Sequence, residues 1–278
     1  MLRIQMPKLN KQLSGVPETL LIPLYYRANE TQRSDAIIRD PKAVEIVAQL
    51  DYDFADFNQW YTQVCVAVRT LLFRQAISSY IKKNPNCTVI NFAAGLDNRF
   101  EEVDNGSISW YDLDLPEVIK LRKQFISESA RRKFIAADLF DGSWIDQLTD
   151  RDRSEPTLFI AEGLLPYFTE DQVRNLFTTS ASQFQTSTII FEIFGWIFVG
   201  REIVIRELRH IKPTPRFTWS PRNPDVIESW RPSFHIKSIA NIFDYRSDRW
   251  KYMKYLAENS AYFRDLAGNK VITLQLNE

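Results

Sequence analysis

From residue 87 onward, short β-rich runs alternate with helical patterns, and few folds accommodate such an alternation. Five runs in succession have the composition of strands, at 87–92, 107–114, 133–139, 157–163 and 187–194. Helical patterns lie between them at 115–129, 142–148 and 169–184, the last with Thr169 as its N-terminal signal. Strands joined by helices predict a mainly parallel, doubly wound α/β sheet with right-handed crossovers. Further strands at 233–243 and 270–276 flank a helical stretch at 246–263, and the last is short enough to fit in antiparallel.

The first 85 residues have a helical pattern. Asp40 is placed to cap a helix that Pro41 opens, since proline is tolerated at the first helical position. From 57 to 83, apolar residues recur every three or four positions, which predicts an amphipathic helix that ends before Pro85. No repeat or linker divides the chain. We therefore expect a single domain over 1–278, with a helical cap region at 1–85 and a Rossmann-like core at 86–278 that carries an insert at about 195–232.

Composition excludes several classes of function. Lysine plus arginine equals aspartate plus glutamate at 35 each, so the bulk charge favours neither nucleic acid nor an anionic membrane as a partner. Cys65 and Cys87 are the only cysteines and lie in no metal-binding pattern, which argues against a disulfide framework and a zinc site. The N-terminal residues lack a signal-peptide core, and no run of about 18 apolar residues occurs. We expect a soluble, cytoplasmic protein without a metal.

The residues just after each strand are the candidates for ligand binding, because open parallel sheets bind ligands beyond the carboxyl ends of their strands. The first strand ends in NFAAGLDNRF at 91–100, where small residues allow close backbone approach and Gly95 is free to take positive φ. A dinucleotide fingerprint would need glycine where Ala93 and Asn98 stand, and a P-loop would need a lysine that this segment lacks. By itself the segment is either a ligand-binding turn or a turn that ends a buried strand.

Three later strand ends carry carboxylates. Asp114 follows the second strand, where it can accept hydrogen bonds from a ribose diol or cap the helix that Pro116 opens. Asp138 follows the third strand and can accept from an exocyclic amine. Glu162 follows an apolar strand, a costly place for a carboxylate unless a cation or a donor meets it. Acidic strand ends without a phosphate loop suit a ligand with a nucleoside and a positive charge.

These segments together resemble a known family. NFAAGLDNRF, WYDLDLPEVIKLRK, AADLFD and FIAEGLLPYFTEDQV, with LYYRANETQRSDAIIRDPKAVEIV and VAVRT upstream and FTWSPRNPDVIESW downstream, are similar to the leucine carboxyl methyltransferase family. The similarity is closest to its bacterial branch of tetracenomycin-type polyketide O-methyltransferases and extends from about residue 17 to the last strand. It implies a class I S-adenosylmethionine-dependent methyltransferase fold with a seven-stranded, mostly parallel sheet whose last strand is antiparallel. The implied cofactor is S-adenosylmethionine, with S-adenosylhomocysteine as product.

The resemblance also assigns residues to the adenosine part of the cofactor. Four residues of the first strand end would form the cofactor loop: Ala93, Ala94, Gly95 and Asp97. Asp114, beside Leu115, would hold the ribose hydroxyls, and Asp138 would hold the adenine amino group with the Leu139 N–H facing the ring.

At the methionyl end, the resemblance places Glu162 near the α-amino group and Arg69, in VAVRT, on the carboxylate. The helical pattern alone would make Arg69 an exposed residue. The chain departs from the family at two positions, with Ala93 where glycine is usual and Asn98 where threonine is usual. The departure at Ala93 bears on cofactor affinity rather than on the fold.

Methyl transfer from a sulfonium needs mainly positioning, and a carboxylate acceptor needs no general base. That fits a chain whose two histidines, His210 and His235, have the patterns of a helix surface and a late strand. We expect an O-methyltransferase of secondary metabolism that acts on a carboxylate of a small molecule, with a hydroxyl as second choice. Tyr167 is the candidate for positioning the acceptor, and the other candidates for binding it are Arg27, Arg206 and Arg209.

Three alternatives stay open. The acceptor could be the C-terminal carboxylate of a protein. The chain could be a nucleotide-binding protein of dehydrogenase type, which the missing third glycine opposes. It could also keep the fold without transferring a methyl group. The sequence identifies neither the acceptor nor the oligomeric state.

Overall fold

The structure of the protein is a computed structural model that describes residues 13–277. A seven-stranded sheet forms its centre, built from β1 (Thr88–Phe92), β2 (Ser109–Asp114), β3 (Arg132–Ala136), β4 (Thr157–Ala161), β5 (Ser187–Ile193), β6 (His235–Asn241) and β7 (Lys270–Asn277). The spatial order is β3-β2-β1-β4-β5-β7-β6. β1 to β5 pair in parallel, whereas β7 runs antiparallel to both β5 and β6. The predicted positions of all seven strands and the antiparallel last strand are confirmed.

The sheet reverses its order beside β1. The chain moves outward from β1 to β2 and β3, then returns to the other side of β1 for β4 and β5. β1 and β4 are buried along their whole length, as parallel strands covered on both faces must be. A crevice beyond the carboxyl ends of β1 and β4 is the expected ligand site of such a sheet.

Nine α-helices accompany the strands in the described part of the chain: α1 (Leu21–Thr31), α2 (Pro41–Gln49), α3 (Trp60–Lys83), α4 (Phe100–Val103), α5 (Pro116–Arg122), α6 (Asp150–Ser154), α7 (Glu170–Gln183), α8 (Tyr252–Asn259) and α9 (Ala261–Ala267). Asp40 caps α2 by accepting from the Ala43 N–H, and Thr169 forms a capping box with Gln172 on α7, both as predicted. Residues 1–12 of the predicted helical cap region lie outside the described residues.

The helix predicted at 142–148 was too long. Only a 3₁₀ turn forms there, at Ile145–Gln147, because Thr149 accepts a hydrogen bond from the Asp152 N–H and starts α6 as a separate helix.

α3 differs from its predicted amphipathic form. Its first half is buried on several sides at once, including Val66, Val68 and Arg69, because α1 packs on one side and β5 and β7 on another. Within the described residues it is the one helix with the length and composition to cross a membrane. Its packing between the sheet and the N-terminal helices is that of a core helix.

The predicted insert at 195–232 contains short 3₁₀ segments rather than α-helices, at Trp196–Phe198, Glu202–Val204, Arg206–Arg209 and Pro224–Trp230. Aromatic packing holds it: the Phe217 ring lies 5.0 Å from Phe194 and 5.3 Å from Tyr167, between ring centroids. The insert thereby folds back over the residues that follow β4 and β5.

Candidate functional site

A cavity of about 640 Å³ lies beyond the carboxyl ends of the strands, a volume within the range of small-molecule sites. Its wall has two parts. The strand-end half consists of residues after β1 to β4 and the arginine of α3 that faces them: Arg69, 93–97, Arg99, Asp114, Leu115, Asp138, Leu139 and Glu162. The cap half comes from the N-terminal helices, the turn after β4 and the insert, with Leu20, Tyr61, Tyr167, Phe194, Glu207 and Phe217 as main side chains. Every cofactor-binding residue predicted from the sequence lines this one cavity.

The loop after β1 turns through two residues with left-handed backbone. Gly95 takes φ +49°, as the sequence suggested, and a Cβ at that position would lie 3.3 Å from the Leu20 Cβ. Ala93 takes φ +50°, where its own Cβ is unfavourable. The glycine that the resemblance leads one to expect at position 93 therefore has a conformational reason, and Ala93 adopts the same turn at a cost of about 1–2 kcal/mol.

Asp114 joins the end of β2 to this loop. Its buried carboxylate accepts from the Gly95 N–H at Oδ2 (2.7 Å) and from the Leu115 N–H at Oδ1 (2.8 Å). It does not cap α5, whose N-cap is Leu115. Burial raises the pKa of Asp114 to about 6, although both hydrogen bonds oppose the rise. Each oxygen keeps a lone pair, so the carboxylate can still accept from a ribose diol.

Asp138 and Leu139 lie just after β3. Asp138 is exposed, and its Oδ1 accepts from the Phe140 N–H (2.8 Å), which folds the segment into a turn. Leu139 is half-buried against the hydrophobic core and its carbonyl accepts from the Trp144 indole (3.1 Å). The turn therefore has a fixed shape at the edge of the cavity.

A buried network of charged side chains surrounds Glu162. Arg69 donates from Nε to Glu162 Oε1 and from Nη1 to Glu192 Oε1, both at 2.9 Å. Arg99 donates to Glu162 Oε2, and its Nε lies 2.8 Å from Asp97 Oδ2. The Arg69 side chain is only 9% exposed, so the exposed position that the helical pattern alone suggested is wrong. Residues from α3, β5 and two strand ends meet in this network.

The carboxylates of the network differ in their protonation. Burial favours the neutral acid of Asp97, but nearby guanidinium groups, Arg99 first, outweigh it and lower the pKa to about 2. Burial acts in the same way on Glu162, and Arg99 and Arg69 again lower its pKa. At Glu192 burial wins over the attraction of Arg69, and the pKa rises to about 7.

Three atoms of the network have no hydrogen-bond partner within residues 13–277: Glu192 Oε2, Arg99 Nη1 and Arg99 Nε. Arg99 Nε still forms an ion pair with Asp97, so Glu192 Oε2 and Arg99 Nη1 are the two open atoms of these three. Three carboxylates face two guanidinium groups, so the network carries an excess negative charge when Glu192 is ionised. Such a site suits a ligand that brings both a cation and a hydrogen-bond acceptor.

Two buried arginines hold the loop from behind. Arg122 donates to the carbonyl oxygens of Gly95 and Asp97 and to Asp112 Oδ2, each at 2.7 Å. Arg132 Nε donates to the same Asp112 oxygen at 2.8 Å. Sequence reasoning missed this clamp, because neither the helical pattern around Arg122 nor the strand pattern beside Arg132 shows that the side chain will turn inward.

Tyr167 and Arg27, which the sequence analysis offers as acceptor-binding candidates, both line the cap side of the cavity. Tyr167 is half-buried, and burial raises the pKa of its hydroxyl to about 12. Arg27 is buried and already donates to Asp40 Oδ2 (2.9 Å) and to the Leu96 carbonyl (3.2 Å). Its contacts are those of a residue that anchors the loop.

The remaining acceptor candidates lie further out. Arg206 lines the cavity but is exposed, with its Nη2 3.9 Å from Asp56 Oδ1. Arg209, at the end of the 3₁₀ segment Arg206–Arg209, is exposed and does not line the described cavity. His210 pairs with Asp56 on the surface at 2.6 Å, in keeping with its predicted surface position.

Besides the arginine clamp, sequence reasoning missed three functional candidates: Arg99, Glu192 and Glu207. Glu192 sits in the apolar run STIIFEIF, so the argument that singled out Glu162 would also have found it. Glu207 stands between two arginines in RELR, where a surface charge is the ordinary expectation, yet it is 0% exposed.

Comparisons with known proteins agree with this geometry. A profile of the leucine carboxyl methyltransferase family matches residues 21–181. The tetracenomycin polyketide synthesis O-methyltransferase TcmP of Streptomyces glaucescens is 27% identical, over 84% of this chain and 85% of its own. The S-adenosyl-L-methionine-dependent methyltransferase dpfgK of Gibberella zeae is 29% identical, over 79% and 80%. A DUF574 family protein of Streptomyces avermitilis has a similar fold, with a TM-score of 0.58 at 14% identity over 94% and 97% of the two chains.

Proposed function

Because this chain belongs to the leucine carboxyl methyltransferase family and is an S-adenosylmethionine-dependent methyltransferase, we propose that it methylates a carboxylate oxygen of a small molecule, such as a polyketide-type metabolite. One observation carries the proposal: a single cavity joins an acid-rich half to an aromatic half. The first matches a cationic nucleoside ligand and the second an apolar acceptor.

The strand-end half fits the cofactor. Asp114, with Leu115, would accept from the ribose hydroxyls through the lone pairs that its backbone hydrogen bonds leave. Asp138 and Leu139 would hold the adenine, and the loop of Ala93, Ala94, Gly95 and Asp97 would lie against the methionyl part.

The charged network fits the two ends of an amino acid. Glu162 and its excess negative surroundings would bind the α-ammonium group. Arg69 already donates to Glu162 and Glu192, so a carboxylate would share it with them, and Arg99 Nη1 is a second donor open for it.

When bound, S-adenosylmethionine supplies a methyl group already activated by the sulfonium. The chain's part is therefore to bind, orient and exclude water. Tyr167, whose raised pKa keeps its hydroxyl protonated at neutral pH, would donate to the acceptor oxygen. The aromatic insert packs over the residues that follow β4 and β5, beside the site. A carboxylate acceptor is ionised at neutral pH, and no histidine among the described residues lines the cavity to serve as a base for a phenol.

A hydroxyl group and a protein C-terminal carboxylate are the lesser candidates for the acceptor, because the same cavity features support them less directly. A dehydrogenase is opposed by the positions of Ala93 and Asn98, where a dinucleotide fingerprint needs glycine. We further propose a cytoplasmic role in secondary metabolism, with a small-molecule acceptor as partner rather than nucleic acid or a membrane.

The test is product analysis with S-adenosylmethionine that carries a deuterated methyl group. The protein is incubated with a panel of aromatic and aliphatic carboxylic acids, matched phenols and a peptide with a free C-terminus. Label in a methyl ester that mild base removes supports the proposal. Label in a base-stable ether or in the peptide alone contradicts it.

A further inference from the structure

Glu207 is a buried carboxylate in the cap half of the cavity. It belongs to the 3₁₀ segment Arg206–Arg209 of the insert, is 0% exposed, and lines the cavity together with apolar and aromatic side chains. Cys65, one helical turn before Arg69 on α3, lines the same cavity. No step proposed above uses Glu207.

One neutral donor forms a hydrogen bond with one of the two oxygens of this carboxylate. The Tyr26 hydroxyl donates to Glu207 Oε1, and the same hydroxyl accepts from the Gln59 N–H (3.0 Å). Within the part of the chain that the structure describes, Glu207 Oε2 accepts no hydrogen bond and no cationic side chain forms an ion pair with the residue. Burial and Glu207 together raise the pKa of Tyr26, so this donor stays protonated.

Glu30 shows what a structural buried glutamate looks like in this protein. It is also 0% exposed, but both its oxygens are fully used. Arg249 donates to each of them (2.9 and 3.1 Å), the Ile37 N–H donates to Oε1 (2.8 Å), and Gln63 donates to Oε2 (2.8 Å). Within the described chain, Glu207 has one neutral donor on Oε1 and none on Oε2, and a buried acceptor left without a partner costs about 1–3 kcal/mol. A ligand that supplies the missing donor would offset that cost.

We infer that Glu207 recognises the methyl acceptor by accepting a hydrogen bond from an acceptor hydroxyl other than the oxygen that is methylated. This inference rests on the proposed function and narrows its substrate class to hydroxylated, largely aromatic carboxylic acids. A carboxylate has no proton to donate to Glu207 Oε2, so the carboxylate of the acceptor points away from it and the hydroxyl points toward it. Glu207 is thus a specificity-determining residue, and the transfer itself does not require it.

The test compares naphthoic acid with a set of hydroxynaphthoic acids that place the hydroxyl at different distances from the carboxylate. Calorimetry measures their binding to the complex of the protein with S-adenosylhomocysteine. We expect the best hydroxylated compound to bind at least about tenfold more tightly than naphthoic acid, as a hydrogen bond to a charged group implies. The ratio of the two affinities should fall to about one in Glu207→Ala. It should also decrease in Glu207→Gln, which keeps the shape of the side chain and the contact to Tyr26. Glu258→Gln, an exposed charge on α8, should keep it.

Loss of the preference in Glu207→Ala, with naphthoic acid still bound, supports the inference. Equal preference in the wild type and Glu207→Ala overturns it, and so does a wild type with no preference at all. Mass spectrometry of the same compounds with S-adenosylmethionine tests the proposed function separately. A preference that depends on Glu207 without methyl ester formation would sink the proposed acceptor chemistry and leave the recognition intact.

Discussion

The two halves of the cavity satisfy their polar groups in different ways. In the strand-end half, carboxylates and guanidinium groups pair with one another and with backbone N–H and carbonyl groups, as at Asp114 and Arg122. In the cap half, apolar and aromatic side chains dominate, and Glu207 keeps an oxygen without a partner in the described chain. Among residues 13–277, both halves leave buried polar atoms open for a ligand, but in the strand-end half these atoms belong to a network of paired charges, whereas Glu207 stands among apolar and aromatic side chains. The difference indicates that several charged groups fix the first ligand, whereas one hydrogen-bonding group in an apolar wall selects the second.

α3 connects the halves. Arg69 reaches Glu162 and Glu192 on the strand-end side, while Cys65 and Tyr61, one and two turns earlier, line the cap side. Because one rigid helix contacts both halves, it fixes the position of the cofactor relative to the acceptor. Methyl transfer between them requires such a fixed geometry.

The largest effect is expected where the strand-end half depends on its own buried pairs. Arg122→Met removes one of the two guanidinium groups that pair with Asp112 and takes a donor from the carbonyls of Gly95 and Asp97, so it should lower the free energy of unfolding by about 3–5 kcal/mol. Chemical denaturation measures it. Arg174→Met, which removes an exposed arginine paired with Glu170 on α7, should change it by less than about 0.5 kcal/mol. Losses of similar size in both variants would mean that the clamp does not hold the loop.

The next effect concerns cofactor binding and pH. Asp114 must be ionised to accept from both ribose hydroxyls, and its pKa is raised to about 6, so affinity for S-adenosylmethionine should be full at pH 8 and fall below pH 6. Asp114→Asn should weaken binding at pH 8 by about 10–100-fold and flatten the fall at lower pH. A residual step near pH 7 would come from Glu192. An unchanged pH profile in the variant, measured by calorimetry, would remove Asp114 from the ribose site.

A smaller effect is expected from a variant in the cap half, which should weaken binding of the acceptor but not of the cofactor. Tyr167→Phe removes one neutral donor from the cap half, so the KM of an acid that the protein methylates should rise about 5–10-fold. The cofactor Kd should change by less than about twofold, since the ring and its packing on Phe217 remain. Steady-state kinetics and titration of one preparation give both values. A larger change in cofactor Kd than in KM would place Tyr167 in the wrong half.

The smallest effect tests the backbone of the loop. Ala93→Gly relieves a Cβ at φ +50° and should raise the free energy of unfolding by about 0.5–1 kcal/mol, after the entropy cost of glycine is subtracted. Ala94→Gly is the matched control, because Ala94 is buried without positive φ and should lose stability. Thermal and denaturant unfolding measure the stability of both variants. A destabilised Ala93→Gly would show that the backbone at position 93 is not strained.

The sequence predicted the strand-end half well because its signals are local. Strand composition located the ends of β1 to β4, and a carboxylate after an apolar strand marked Glu162. The same sign was present at Glu192. Arg69 needed the family resemblance, since its burial depends on how α3 packs against β5 and β7.

The cap half could not be predicted in the same way. Its 3₁₀ segments have no periodicity that a sequence pattern reveals, and Glu207 is buried through contacts with Tyr26, 181 residues away. Arg206 and Arg209 look alike in RELR, yet only the first lines the cavity. Such positions follow from tertiary packing alone.

The most direct test of this division is the affinity for S-adenosylmethionine of two variants, one from each half, measured by calorimetry at pH 8 with NAD as a competing candidate. The account predicts that Asp114→Asn weakens S-adenosylmethionine binding at least about tenfold, that Arg206→Ala changes it less than about twofold, and that NAD does not bind. Equal losses in the two variants, or tight binding of NAD, would contradict it.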